Sequence, residues 1–322
     1  MIGPFPHPMP DETLHSLLAR HYNSSIYLKW RAMAKESFGR QWVNSMASIP
    51  VGMRYFCEQM VPDGFSAERF IQEHTYLPYY TVLLPEQQRE WFQRLAMDVQ
   101  TKEEMICLGR LMHQNRTAAR LRFCPECMLD DIQRYGFSYW SRSFQLPGVL
   151  MCERHRHILL ESSIDCRNFG AANFGSMEVN HIFPAEPAAK LNHREQVLAL
   201  RIAEGQRICL QKSSRINRIL ASDWNAVSIC IKRLLYRKGL ASPSGHVNTE
   251  AYRSAMLQYY GQSLLYATGL FAQNTGLNWV TAEYHGWRRC PNALKIVLIG
   301  IFLSGSFESF LFNIETEKRL ST

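Results

Sequence analysis

The stretch FCPECMLDDIQRYGFSYWSRSFQLPGVLMCERHRHILLESSIDC, residues 123–166, restricts the fold of this chain more than any other segment. It carries two close pairs of soft ligands, Cys124 with Cys127 at Cys-x-x-Cys spacing and Cys152 with His155 at Cys-x-x-His spacing, separated by a turn-rich loop. A Cys-x-x-Cys knuckle presents two thiolates from one tight turn, and a Cys-x-x-His pair can fill the other two corners of a tetrahedron. The spacing therefore predicts a zinc site made of Cys124, Cys127, Cys152 and His155. With all four corners taken by protein, no position remains for a catalytic water, so the predicted metal is structural. A closed site of this type contributes on the order of 10 kcal/mol to folding its own module, which suits a segment too loop-rich to build a core.

Buried free thiols are the alternative, since unpaired cysteine is among the most buried residue types. Two paired clusters at knuckle spacing are hard to reach that way. A redox reading of the first pair lacks the βαβ pattern that would surround it. His157 stands close enough to replace His155 by a small shift, and Cys166 has no partner two residues on.

The chain has 322 residues, a length that suits about two domains. Hydrophobic residues make up 46% and charged residues 20%, which describes a globular chain and excludes a disordered one. Net charge is +8 and the isoelectric point about 9.0, so a polyanion is the leading class of partner. Nine cysteines behind an N-terminus, MIGPFPHPMPDETL, that lacks a basic and an apolar signal segment point to a reducing compartment, and cytoplasmic location is expected. The longest uncharged apolar run, Ile296 to Phe307, is shorter than the ~20 residues a spanning helix needs, so no membrane is expected.

Taken in order, the pattern predicts a mainly α protein. Asp11 offers an N-cap to a helix carrying Leu14, Leu17 and Leu18 on one face; after Asn23-Ser24-Ser25 a second helix runs from Ile26 to Phe38 and stops at Gly39. The pair resembles a helix-turn-helix. Further helical patterns cover 65–74, 85–100 and 103–115, which closes an N-terminal helical domain at 1–115. The zinc module follows at 116–170, with Tyr135, Tyr139 and Trp140 expected to pack over it. Residues 171–193 are rich in Gly, Asn, Pro and Ala and are expected to be a linker.

The last predicted domain, 194–322, is basic and helical. Between Arg194 and Leu240 stand ten Lys or Arg residues against three acids, Glu195, Glu204 and Asp223. A helix from Trp224 stops at Gly239, a turn through Pro243 follows, and a second helix starts at Thr249, again in helix-turn-helix order. Lys232, Arg233, Arg237 and Lys238 are the candidate phosphate contacts, with Arg215 and Arg218 in the same basic stretch. From Cys290 to Phe312 one apolar core helix is expected. No P-loop, nucleophile elbow or two-metal carboxylate cluster is present, so the chain is expected not to be an enzyme.

Four stretches together carry a resemblance: Pro-Met-Pro-Asp-Glu-Thr-Leu-His-Ser-Leu-Leu-Ala-Arg at residues 8–20, Glu73-His74-Thr75 before Leu77-Pro78, the zinc stretch with Tyr135-Gly136, Tyr139-Trp140 and Gln145-Leu146-Pro147-Gly148, and the late helix Leu294 to Ser304. The chain resembles the TnsD/TniQ family of target-selection proteins from Tn7-like bacterial transposons, and is closer to the TnsD branch. The resemblance implies a non-enzymatic adaptor with zinc on Cys124, Cys127, Cys152 and His155, and it places Trp140 and Arg142 on the family's aromatic and basic positions, Arg142 being a further candidate DNA contact. It implies binding to double-stranded DNA at an attachment site and recruitment of the AAA+ ATPase TnsC, which passes the target to the transposase complex. In the TniQ branch the implied role is instead docking on a CRISPR effector complex, with little DNA specificity of the adaptor's own. Direct DNA readers of the TnsD branch continue beyond the length of this sequence.

Overall fold

The computed structural model describes residues 5–39, 51–61, 65–98, 101–114, 120–165, 177, 185–271, 277, 279–282 and 292–321, and among these the chain is mainly helical, as its periodicity predicts. It forms two compact units: Met1–Thr81, Gln87–Leu146 and His157–Ala188 make one, and Val82–Glu86, Pro147–Arg156 and Ala189–Thr322 the other. Cys166 and Cys290, named above, lie outside the described residues.

The first unit contains helices α1 (Leu14–Ser24), α2 (Trp30–Phe38), α3 (Met53–Met60), α4 (Ala67–His74), α5 (Leu77–Tyr80), α6 (Glu86–Met97), α7 (Lys102–Gln114) and α8 (Pro125–Tyr135). Strands β1 (Arg120–Phe123), β2 (Leu160–Asp165) and β3 (Glu186–Pro187) form an antiparallel sheet in the order β1-β2-β3. Caps set the helix ends. Gly39 ends α2 at φ 63, as its sequence position predicts, because glycine takes the left-handed conformation without a Cβ penalty. Helix α1 begins later than Asp11 suggested: Thr13 is the N-cap, its hydroxyl accepting from the Ser16 backbone N–H. Asp11 sits at φ 58, and its carboxylate accepts instead from the Ser141 hydroxyl, the Ser143 N–H and Arg142 Nε.

Two apolar clusters hold this unit. Phe38 and Phe56 stack at 4.7 Å, and Phe56 meets Phe70 edge-on at 5.3 Å, pairings worth about 0.5–1.5 kcal/mol each beyond their buried area. Around Trp140, which is fully buried, lie Leu121, Phe123, Met128, Ile164 and Met177. The tryptophan thus packs over the knuckle helix α8 as its sequence position suggests. Within the expected linker, Met177 joins this cluster, Glu186–Pro187 pairs with Leu160 and Glu161 as β3, and Asn192 caps the next helix.

His74, at the end of α4, donates from Nδ1 to the Glu12 carbonyl at 2.8 Å, while its Nε2 is buried without a hydrogen-bond partner. Burial opposes the charged form and pulls its pKa from 6.5 down to about 4. The unfolded chain then binds a proton that the folded chain refuses, so this group's contribution to stability is full above pH 6.5 and is lost as the pH falls towards about 4. The expected loss is about 3 kcal/mol. Urea midpoints across that window should show it, and His74→Gln should flatten the profile; an unchanged slope in the variant would refute the assignment.

The second unit contains α9 (His193–Gln211), α10 (Ser213–Leu220), α11 (Trp224–Arg237), α12 (Thr249–Tyr260), α13 (Gln262–Ala267), α14 (Trp279–Ala282), α15 (Ala293–Ser304) and α16 (Phe307–Ser321). A capping box starts α9: the Asn192 side chain accepts from the Glu195 N–H, and the Glu195 carboxylate accepts from the Asn192 N–H. Apart from Lys295 and Ser304, helix α15 is apolar and buried along its length, packed by α9, α11 and α16. The approach of α9 is close: a Cβ on Gly205 would stand 2.6 Å from Val297 Cγ1. Gln206 donates from Nε2 to the Pro147 carbonyl, and Asn217 donates to the Val82 and Leu84 carbonyls, fixing those two short segments onto the helices.

The single apolar helix expected over 290–312 is two helices. Gly305 at φ 81 stops α15, the Ser306 hydroxyl accepts from Ser309 N–H to start α16, and the axis turns by 84°. Apolar content alone cannot reveal such a corner, because both arms are hydrophobic. Among the described residues no single helix is long and apolar enough to cross a membrane. Between α11 and α12 the chain passes Gly239 at φ 72 and an antiparallel bridge of Ala241 with Val247, so a closed loop joins the two helices.

Candidate metal centre and basic helical face

The sequence builds each half of the metal centre from a local turn. Cys124 is the extended N-cap residue of α8, Pro125 is its first helical position, and Cys127 follows one turn later. Both sulfurs therefore belong to the N-terminal turn of α8. The other half is a tight turn in which the Cys152 carbonyl accepts from Arg156 N–H at 2.8 Å and the Cys152 sulfur accepts from His155 N–H at 3.4 Å. Arg156 at φ 55 reverses the chain directly after it. His155 Nδ1 lies 3.8 Å from Cys152 Sγ.

One ligand atom from each of Cys124, Cys127, Cys152 and His155 lies within 4.8 Å of the others. Cys124 and Cys152 are buried, whereas Cys127 and His155 are half-buried. Three thiols and one imidazole converging at that distance form a donor set suited to a soft or borderline metal ion, and a fully protein-filled tetrahedron suits a structural role. His157 does not join them: its Nδ1 pairs with Glu126 Oε1 at 3.0 Å. Other thiols behave differently. Burial pushes Cys57 and Cys230 up to about 12, and Cys209 is raised as well, so these stay protonated and inert.

The remaining candidates divide sharply. Arg142 is 4% exposed, and its guanidinium is spent inside the first unit: Nε donates to Asp11, and one terminal nitrogen donates to the carbonyls of Gln72 at 2.7 Å and Thr75 at 2.8 Å. This geometry corrects the expectation of a DNA contact at Arg142, since a buried, multiply bonded guanidinium offers no surface to a phosphate. Lys232, Arg233 and Arg237 lie on α11 and Lys238 caps it, with Arg215 and Arg218 on α10. Arg218, Arg233, Arg237 and Lys238 are exposed, Lys232 and Arg215 half-buried. Lys238 Nζ stands 5.1 Å from the centre of the Phe302 ring.

Helix α16 supplies acids that the sequence reading missed. Glu317 accepts from Arg233 at 2.7 Å, Glu308 from Lys212 at 3.3 Å, and Glu315 lies 3.7 Å from Arg215. Glu308 and Glu315 are seven residues apart and share a helix face; the signal was legible only once α16 was known to be a separate helix. These pairs trim the surplus charge of the basic stretch on the α16 side of α10 and α11.

Comparison with known proteins gives two matches. Residues 4–159 match the family model TniQ. Over 190 residues, 58% of this chain, the sequence is 23% identical to the transposon Tn7 transposition protein TnsD of Escherichia coli. The match spans 37% of that relative's length.

Proposed function

We propose, from the match of residues 4–159 to the TniQ family model, that this chain selects the target site of a Tn7-like transposon, binding DNA at the attachment site and recruiting the AAA+ regulator TnsC so that the transposase complex inserts there. The family match over the N-terminal half, with its Cys3His cluster, carries this reading. The metal we assign is zinc, held by Cys124, Cys127, Cys152 and His155 and serving to fix the module, as three thiolates and an imidazole favour. The chain acts as a cytoplasmic adaptor and not as an enzyme. Residues 194–322 face the DNA through Lys232, Arg237 and Lys238, helped by Arg218, and with Arg233 and Arg215 available when their carboxylate partners yield.

Salt dependence tests the reading. Each phosphate neutralised releases counterions, so the logarithm of duplex affinity should fall with the logarithm of salt at a slope of about −0.9 per phosphate. Arg237→Ala with Lys238→Ala should make that slope shallower by roughly two phosphates and weaken binding equally for every sequence. A flat salt profile, or no duplex binding, would overturn direct DNA recognition and favour the adaptor that docks on a CRISPR guide-RNA effector complex and passes its target to TnsC.

A further inference from the structure

Helix α11 buries Ala226, Val227, Cys230, Ile231, Leu234 and Leu235 against the second unit. At about 100° per residue the opposite face is occupied by Asn225, Ile229, Lys232 and Tyr236, which fall within an arc of about 60°. Asn225 is exposed, Ile229 is 40% exposed and Tyr236 50% exposed, with Lys232 half-buried between them. The outermost stripe of a helix on a basic domain is thus an amide, an aliphatic group, an ammonium and a phenol. Single exposed apolar residues are ordinary. Two of them, alternating with polar groups that read base edges and flanked by Arg233, Arg237 and Lys238, form a pattern that charge alone does not explain.

Each group has a matching partner in the major groove, which is wide enough to admit one helix. An asparagine amide pairs with both hydrogen-bonding atoms of adenine, an apolar side chain packs on the thymine methyl group, and a lysine donates to the acceptors of guanine. Asn225 stands in the first turn of α11, just after the N-cap Asp223, where residues of groove-reading helices meet base edges. The cations flank the stripe, Arg233 and Arg237 on the α16 side and Lys238 at the helix end, where the two strands' phosphates rise beside a helix lying in the groove. We propose that Asn225, Ile229, Lys232 and Tyr236 of α11 read base pairs in the major groove of duplex DNA, giving this chain a sequence preference that the flanking cations Arg233, Arg237 and Lys238 do not. The proposal rests on the DNA-binding reading above and names the residues that confer its selectivity.

The test is selection from a randomised duplex library at moderate salt, with sequencing of the retained DNA, on the full chain and on an Asn225→Ala, Ile229→Ala, Tyr236→Ala variant. The parent should retain a short motif, and the variant should lose discrimination at those base pairs by roughly 5- to 150-fold per pair while its affinity for bulk duplex changes by no more than about twofold. Asn225→Ala alone, at an exposed position that supports no core contact, should relax one base pair and guards against a folding defect in the triple variant. The same motif from parent and variants would overturn the proposal, because readout would then lie elsewhere. Tight, salt-dependent retention without any motif in the parent would overturn it too, leaving the DNA-binding reading intact. No retention by the parent would instead sink that reading and the stripe with it.

Discussion

Cys124→Ser is expected to abolish metal binding and unfold the module around α8, the largest effect of any single substitution in this chain. A structural zinc site is worth on the order of 10 kcal/mol to the fold it closes, while a whole domain is stable by only about 5–15 kcal/mol. Serine cannot supply a thiolate, and it leaves Cys127, Cys152 and His155 as an incomplete set. Because Cys124 is also the N-cap of α8, the helix start should loosen with it. Cys152→Ser should do the same from the other turn, whereas Cys230→Ala, far in sequence from the cluster and not one of its four ligands, should keep the metal. Metal content by elemental analysis and thermal melts of the three variants check this. A parent without bound metal, or a Cys124→Ser variant that melts like the parent, refutes the structural assignment.

Arg142→Ala is expected to destabilise the first unit by about 3 kcal/mol, near the lower end of the cost of removing one partner from a buried ion pair, because Arg142 is buried while Asp11 is half-buried. The substitution leaves the Asp11 carboxylate with Ser141 and Ser143 but without its cation, and takes the guanidinium donor from the carbonyls of Gln72 and Thr75. These bonds tie the segment before α1, the end of α4 and the loop after Trp140 to one guanidinium. Lysine should not restore stability, since a point charge cannot reproduce the fork that reaches Asp11 and two carbonyls at once. In a double-mutant cycle, Asp11→Ala and Arg142→Ala should cost less together than the sum of their separate costs, because they share one network. Urea unfolding measures all three variants. An Arg142→Ala variant as stable as the parent but weaker on DNA would restore the surface role.

Some of this protein was determined by local sequence. The four converging ligands were legible because Cys-x-x-Cys and Cys-x-x-His are constraints on single turns, set by a proline at the first helical position and a tight reversal at Arg156. The helix end at Gly39 followed from the backbone freedom of glycine, and the mainly helical class followed from apolar periodicity. Other features depended on partners distant in the chain. Asp11 looked like an N-cap and Arg142 like a surface cation, yet each is consumed by the other, across a separation that no local pattern encodes. The corner at Gly305 was hidden by apolar residues on both sides, and with it the acids of α16 that pair with Arg215 and Arg233. Spacing rules report what one turn or one helix face can do, because those contacts are fixed by backbone geometry. Which charge meets which, and which side of α11 is left to the solvent, was decided only when the helices packed, since burial depends on neighbours that sequence distance does not specify.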